Sequence, residues 1–400
     1  MDGVTLPDAP WRQRKGLAQL ADALGASAGE TRVVGGAVRD TLLGIDVADV
    51  DLATRHPPQE VLDRLRKAGI KAVPTGLAHG TITAVLDDGP VEVTTLRRDV
   101  STDGRHAIID YTDDWREDAA RRDFTINALY ADPLTGELFD YFGGLDDLAA
   151  RRVRFIGDPL QRIAEDHLRI LRYFRFHARF GDAPDAEGLD ACTARANDLM
   201  ALSRERIAME LRKLLVASSA VPVVRLMLAR GIFAPIVPEI DDAGADRLAR
   251  LADAEAAAGI APDPIRRLAA LLPAPTADAV AARLKLSNAE RKRIGAALAP
   301  IDEATSEALA YRRGTPGAVD ALLLAGNSDE AARIAGWAPP RLPIGGGTLV
   351  ARGVKAGPDV ARLLQQIERQ WIAEGFPPAA RVETLADQAA EGWLRATSQA

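Results

Sequence analysis

Hydrophobic and polar positions follow two different rhythms along the chain, and the rhythm changes near residue 150. Before it, short runs rich in Val, Ile and Thr at 31–36 (TRVVGG), 49–54 (DVDLAT), 82–86 (ITAVL) and 91–96 (VEVTTL) read as strands. Between the first two, Ala37, Val38, Leu42 and Leu43 recur at helical spacing until Gly44 ends the pattern. From about residue 151 the strand signals stop. Ala, Leu, Arg and Glu then repeat with the helical period, as in 165–180 and 203–216. Proline and glycine interruptions near 233–238, 272–275 and 338–347 are candidate boundaries between helical subdomains. The pattern predicts an α+β chain, with a mixed sheet near the N-terminus and helices after it.

Composition narrows the class. At 400 residues the chain has room for two to four compact units, because domains usually run to ~100–200 residues. A hydrophobic share of 47% and a charged share of 27% are those of a conventionally folding protein. No apolar run stands behind the basic residues of the N-terminus and no stretch of ~18 apolar residues follows, so neither export nor a membrane span is expected. The single cysteine, Cys192, excludes an internal disulfide and fits a reducing, cytoplasmic setting. The net charge of −7 argues against nucleic-acid binding unless a basic surface is concentrated locally. Residues 151–180 supply a candidate: eight arginines stand there against Asp158, Glu165 and Asp166, leaving an excess of five positive charges.

Candidate chemistry begins in 49–54. Asp49 and Asp51 are two apart on an expected strand, so both face one side while Val50 faces the core. Carboxylates side by side repel, and a hard cation such as Mg²⁺ with phosphate co-ligands is the usual reason to place them so. Glu92, between Val91 and Val93 on another expected strand, is a candidate third ligand. The tripeptide alone would equally suit a solvated strand end. Upstream, Gly35 and Gly36 follow a strand and open a helix, a turn whose amides can approach a phosphate, and Arg39 lies one helical turn on. Further on, Asp166 and Arg169 are spaced to share one helix face as an acceptor and a donor fork, or as a surface ion pair. Arg121, Arg122, Asp123 and Asn127 surround an expected helix start, where Phe124, Ile126 and Leu129 look like core. The polar stretch 96–118 is too long for an ordinary hairpin connection and reads as a mobile functional loop. There is no Gly-x-Ser-x-Gly elbow and no suitable Cys and His pairing, so no protein nucleophile is expected.

The succession VVGGAVRDTLLG, DVDLAT, RRDFTINALYAD (121–132), YFGGLDDLAARRVRFIGDP (141–159), EDHLRILRYFRF (165–176) and ERIAMELRKLL (205–215) resembles the class II tRNA nucleotidyltransferase and bacterial poly(A) polymerase family of polymerase-beta-like nucleotidyltransferases. The ordered motifs span residues 33 to 215, and 349–364 adds a weaker likeness to the family's helical C-terminal region. The resemblance implies a nucleotidyltransferase head at 1–150, a helical neck for base recognition at 151–218, a body at 219–300 and a tRNA-binding tail at 301–400. It implies that a tRNA 3′-hydroxyl attacks the α-phosphate of CTP or ATP, with two Mg²⁺ ions on Asp49 and Asp51. It further implies that Asp166 and Arg169 read the incoming base and that Asp123 and Asn127 contact the ribose. Arg121 and Arg122 would face the triphosphate, with Arg39, Arg172 and Arg175 also at the nucleotide. The form TGLAHGTITAV at 75–85 resembles the tRNA branch rather than the poly(A) branch. Poly(A) addition, addition of C alone or A alone, and an inactive tRNA-binding module are the alternatives.

Overall fold

The computed structural model describes residues 5–102 and 107–398, and nine strands are present among them. These are β1 (Thr31–Val34), β2 (Asp51–Thr54), β3 (Lys71–Gly76), β4 (Thr81–Leu86), β5 (Gly89–Thr95), β6 (Arg97–Thr102), β7 (Ala107–Tyr111), β8 (Leu129–Ala131) and β9 (Leu138–Asp140). Seven of them form one mixed sheet in the order β3-β4-β5-β2-β1-β8-β9, in which only β2 and β5 run parallel. A parallel pair needs a long crossover, and α3 with β3 and β4 provides it. The pairing sets Asp51 opposite Glu92 and Leu52 opposite Val93. On β5, Val91 and Val93 are buried while Glu92 is exposed, so one face of the sheet is core and the other is open.

The remaining elements of the first compact unit, Met1–Pro238, are helical. They are α1 (Leu17–Ala23), α2 (Gly36–Leu42), α3 (Pro58–Lys67), α4 (Trp115–Ala120), α5 (Gly144–Ala149), α6 (Pro159–Glu165), α7 (Leu168–Phe180), α8 (Ala186–Ala194), α9 (Arg204–Leu215) and α10 (Ala220–Ala229). α7 buries Ile170, Leu171, Tyr173 and Phe174, and its Tyr173 stacks on Phe155 with centroids 5.7 Å apart. Phe124 tilts against Phe155, Tyr173 and Phe176, so the aromatic cluster fastens the sheet region to the helices behind it.

Three local expectations are corrected. Residues 121–130 do not open a helix: α4 ends at Ala120, a 3-10 turn spans Thr125–Asn127, and the chain enters β8. Phe124, Ile126, Leu129 and Tyr130 are all buried, Phe124 by a bridge to Phe155 and Tyr130 by pairing with Val34 of β1. The stretch 96–118 is largely ordered as the β6/β7 hairpin followed by α4, and its tip at 103–106 lies outside the described residues. Asp166 is not helical; it is the extended residue between α6 and α7, with φ −151° and ψ 106°.

In the second unit, Glu239–Ala400, every element among the described residues is a helix. It comprises α11 (Asp242–Ala258), α12 (Pro264–Leu271), α13 (Ala277–Arg283), α14 (Asn288–Leu298), α15 (Ser306–Arg313), α16 (Thr315–Leu324), α17 (Ser328–Ile334), α18 (Gly346–Val350), α19 (Pro358–Ala373) and α20 (Ala379–Ser398). Its core holds a buried charge network: Glu255 takes Arg266 and Arg267, and Asp320 takes Arg266 at 3.3 Å and Arg293 at 2.6 Å. Such a network is costly to break on one side, because the partner charge stays buried. Asp320→Ala should therefore destabilise this unit by about 3–5 kcal/mol in urea denaturation. A loss below ~1 kcal/mol, the scale of an exposed pair, would contradict the assignment.

Candidate active site

The glycine turn and the carboxylates are brought together by neighbouring strands. β1 ends at Val34, and Gly35 caps α2 with φ 71° and ψ −121°, a conformation open to glycine and strained for other residues. Next to β1 in the sheet, β2 begins with Asp51, which lies half-buried opposite Glu92 of β5. Asp49 is exposed and lies before the strand rather than on it, so only Asp51 of the expected pair is a strand residue, with buried Val50 between them.

A cleft of about 380 Å³ is lined by Gly35, Gly36, Arg39, Asp51, Arg122, Asp123, Asn127, Asp166, Arg169, Arg172 and Phe176. Ten of the residues singled out from the sequence thus share one wall, although they span positions 35 to 172. Asp49, Glu92, Arg121 and Arg175 are outside the lining: Glu92 joins through its register with Asp51, Arg121 turns to Asp118, and Arg175 turns to Glu210 at 2.6 Å. Phe176 was not anticipated, since an aromatic on a helical stripe reads as core. Here its ring lies beneath the guanidinium groups of Arg39, Arg172 and Arg175 at 5.3, 5.3 and 4.3 Å.

The lining is held by a chain of alternating charges. Asp40 accepts from Arg179 at 3.2 Å and from Arg39 at 2.7 Å, and Arg39 donates to the side-chain oxygen of Asn127. Asn127 donates to Asp123 at 2.9 Å, and Asp123 accepts two bonds from Arg172, at 2.7 and 2.5 Å. Asp166 accepts from Arg206 of α9 at 2.9 and 3.1 Å, while Arg169 donates to Glu165 at 2.6 Å and to the carbonyl of Arg162 at 2.8 Å. So the acceptor and donor expected to share a helix face come from a helix break and a first helical turn, each braced separately.

This pairing also revises the basic patch. All eight arginines of 151–180 lie within 4.0 Å of a carboxylate, and Asp147, Asp123, Glu210, Asp40 and Asp182 all lie outside that window. The free positive field is smaller than the count along the chain implies.

Titration follows the geometry. Burial, then Glu92 and Asp49, push Asp51 up to about 6 against the opposing pull of Arg122. Burial would raise Asp118 as well, but Arg122, Arg121 and the Tyr130 hydroxyl outweigh it and hold the carboxyl at about 2. Burial of Asp123 is likewise outweighed, chiefly by Arg172, and its carboxyl is lowered. Cys192, buried beyond the site, has its thiol pushed well up by burial.

A cation would find oxygen donors here. Among the described residues no group of three or more His, Cys, Asp and Glu is placed to hold a metal ion by itself. Asp51 with Asp49 and Glu92 nearby instead suits a hard divalent ion that completes its shell with phosphate and water, and such an ion would offset the burial and the repulsion that raise Asp51.

Comparison with known proteins agrees with the geometry. Residues 31–154 match the family model described as the Poly A polymerase head domain, and residues 184–243 match that described as the probable RNA and SrmB-binding site of polymerase A. The chain is 35% identical over 383 residues to CCA tRNA nucleotidyltransferase 1, mitochondrial, of Mus musculus, covering 90% of this chain and 87% of that protein. It is 36% identical over 213 residues to the CCA-adding enzyme of Anoxybacillus flavithermus, covering 53% and 52%. The solved structure of the Bacillus stearothermophilus CCA-adding enzyme in complex with CTP superposes with a TM-score of 0.74 at 26% identity, covering 90% of this chain and 94% of that one.

The raised Asp51 makes a prediction about stability. Its folded value, about 6, lies above the ordinary 3.8, so the native state takes up the proton first. The ionised carboxylate therefore costs stability above pH 6, and that cost disappears as pH falls toward 4. In protein freed of divalent cations, Asp51→Asn should raise the unfolding free energy at pH 8 by roughly 2 kcal/mol, with the gain lost near pH 4. A gain independent of pH, or none, would contradict the cause assigned.

Proposed function

The chain belongs to the CCA tRNA nucleotidyltransferase family, and from that premise we propose how its cleft carries out the activity of the family. The protein adds CCA to the 3′ end of tRNA from CTP and ATP without a template. The 3′-oxygen of the tRNA bonds to the α-phosphorus, the bond from that phosphorus to the bridging oxygen breaks, pyrophosphate leaves, and the hydroxyl proton goes to solvent.

Asp49 and Asp51, with Glu92 beside them, would hold two Mg²⁺ ions. When bound, these ions neutralise charge on the triphosphate and acidify the attacking hydroxyl. The amides of the Gly35–Gly36 turn and the Arg122 guanidinium face the phosphates, and Arg39 stiffens that wall through Asn127. Asp123 and Asn127 lie at the ribose. Asp166 accepts from the base edge and Arg169 donates to it, while Arg121, Arg172 and Arg175 keep these groups in place. Selection without a template requires fixed hydrogen-bonding groups, since a site built to pair with one edge rejects bases that leave its groups unpaired. What supports this reading is that the cleft joins Asp51 of the sheet to Asp166 and Arg169 of the helices. The helical tail at 301–400 is assigned to tRNA binding. Among the described residues no helix is long and apolar enough to cross a membrane, and the single cysteine fits the cytoplasm as the compartment.

The decisive assay offers tRNAs lacking CCA, ending in C or ending in CC to the protein with CTP, ATP or both, and sequences the products. CTP alone should give CC ends, and both nucleotides should give CCA. Long A tails on unrelated RNA would refute tRNA specificity, and no product in any mixture would refute the enzyme. Asp49→Ala and Asp51→Ala should lower turnover by at least about a thousandfold, several kcal/mol of transition-state stabilisation, with the fold retained. Asp166→Ala and Arg169→Ala should erode the choice between CTP and ATP; an unchanged preference would count against their role.

A further inference from the structure

Asp118 lies on α4, outside the cleft, and its carboxylate is 1% exposed. An isolated buried carboxylate is expensive, so its partners define its use. One oxygen accepts from the Arg121 side chain at 2.8 Å and from the backbone N–H of Arg97 at 3.3 Å. The other accepts from the Tyr130 hydroxyl at 2.6 Å and from Nη2 of Arg122 at 3.2 Å. The Tyr130 oxygen in turn accepts from Nε of Arg122 at 3.2 Å. Two of the three guanidinium nitrogens of Arg122 are thereby fastened from behind, by groups that are themselves buried.

The third, Nη1, points toward the glycine turn: a Cβ built on Gly35 would stand 3.6 Å from it. The backbone is fixed too, because Arg162 donates to the carbonyls of both Arg121 and Arg122 at 2.6 Å. Arg122 and Asp51 line the same cleft. Released from behind, a long cationic side chain would be drawn to that carboxylate and its neighbour Glu92, filling the place a cation needs.

We propose that Asp118, acting together with the Tyr130 hydroxyl, is a positioning residue that aims Arg122 at the nucleotide's phosphates and keeps it off the Asp51/Glu92 carboxylates. The proposal rests on the functional reading above, and it assigns to a residue of α4 the orientation of the arginine that meets the triphosphate.

The test separates phosphate recognition from general folding. Binding of CTP and of CMP to full-length protein is measured by calorimetry in the presence of Mg²⁺ for the wild type, Asp118→Asn and Tyr130→Phe. Tyr130→Phe removes one oxygen and is the milder change, so it keeps the test alive if Asp118→Asn fails to fold. Both variants should weaken CTP binding by about tenfold, the scale of a lost charge-assisted hydrogen bond, and change CMP binding less than about twofold. In an Arg122→Ala background, Tyr130→Phe should cause no further change in the CTP to CMP ratio. Equal weakening of both ligands would mean a merely structural role and would overturn the proposal. So would an unchanged ratio, or a full additional loss in the Arg122→Ala background. If the wild type itself fails to bind CTP, it is the functional reading that falls.

Discussion

Both halves of the cleft meet on the carboxylate of Asp123. One oxygen takes the backbone N–H of Phe124 and the side-chain amide of Asn127, each at 2.9 Å; the other takes both donors of Arg172 from α7. Through Asn127 it reaches Arg39 and the glycine turn, and through Arg172 it reaches the helix that begins beside Asp166. A buried ion pair contributes little net stability, because desolvation offsets the attraction. What it does supply is a unique geometry: a cation and an anion that must meet fix the distance between the sheet and the helix. The Phe124, Phe155 and Tyr173 cluster provides the apolar burial that allows this charge pairing to occur.

The same logic explains how a protein of net charge −7 handles polyanionic substrates. Its arginines are not spread as a field. They are paired, held by Asp40, Asp118, Asp123, Glu165 and Glu210, and expose only selected nitrogens to the cleft. Against them stands one conflict, Asp51 facing Glu92, where burial first and then the like charge raise the proton affinity of a carboxylate. Stabilising charge and destabilising charge are adjacent, and the second is the place where a cation lowers the free energy most.

Much of this was legible in the sequence because it is local. Strands β1, β2, β4 and β5 announce themselves through Val, Ile and Thr, and the Gly35–Gly36 turn through its position after one of them. β3 escaped because Pro74 and polar residues place it on the open edge, and β8 because the buried run from Phe124 to Tyr130 has no period that separates strand from helix. Asp166 was placed on a helix face because three-residue spacing cannot reveal a break between α6 and α7. Long-range pairing was invisible. Only the fold brings Asp40 to Arg179, Asp123 to Arg172 and Glu210 to Arg175, partners that lie far apart in the chain. The count of arginines in 151–180 was correct and its inference too generous for the same reason.

The account stands on one claim, that the carboxylates of the sheet and the base-reading pair of the helices serve a single nucleotide. A crystal structure of this protein with CTP and a divalent cation tests it directly. The account predicts phosphates beside Arg122 and the Gly35–Gly36 turn, a cation at Asp51, and the cytosine edge within hydrogen-bonding distance of Asp166 and Arg169. A CTP whose base lies away from that pair while its phosphates occupy the cleft would contradict it.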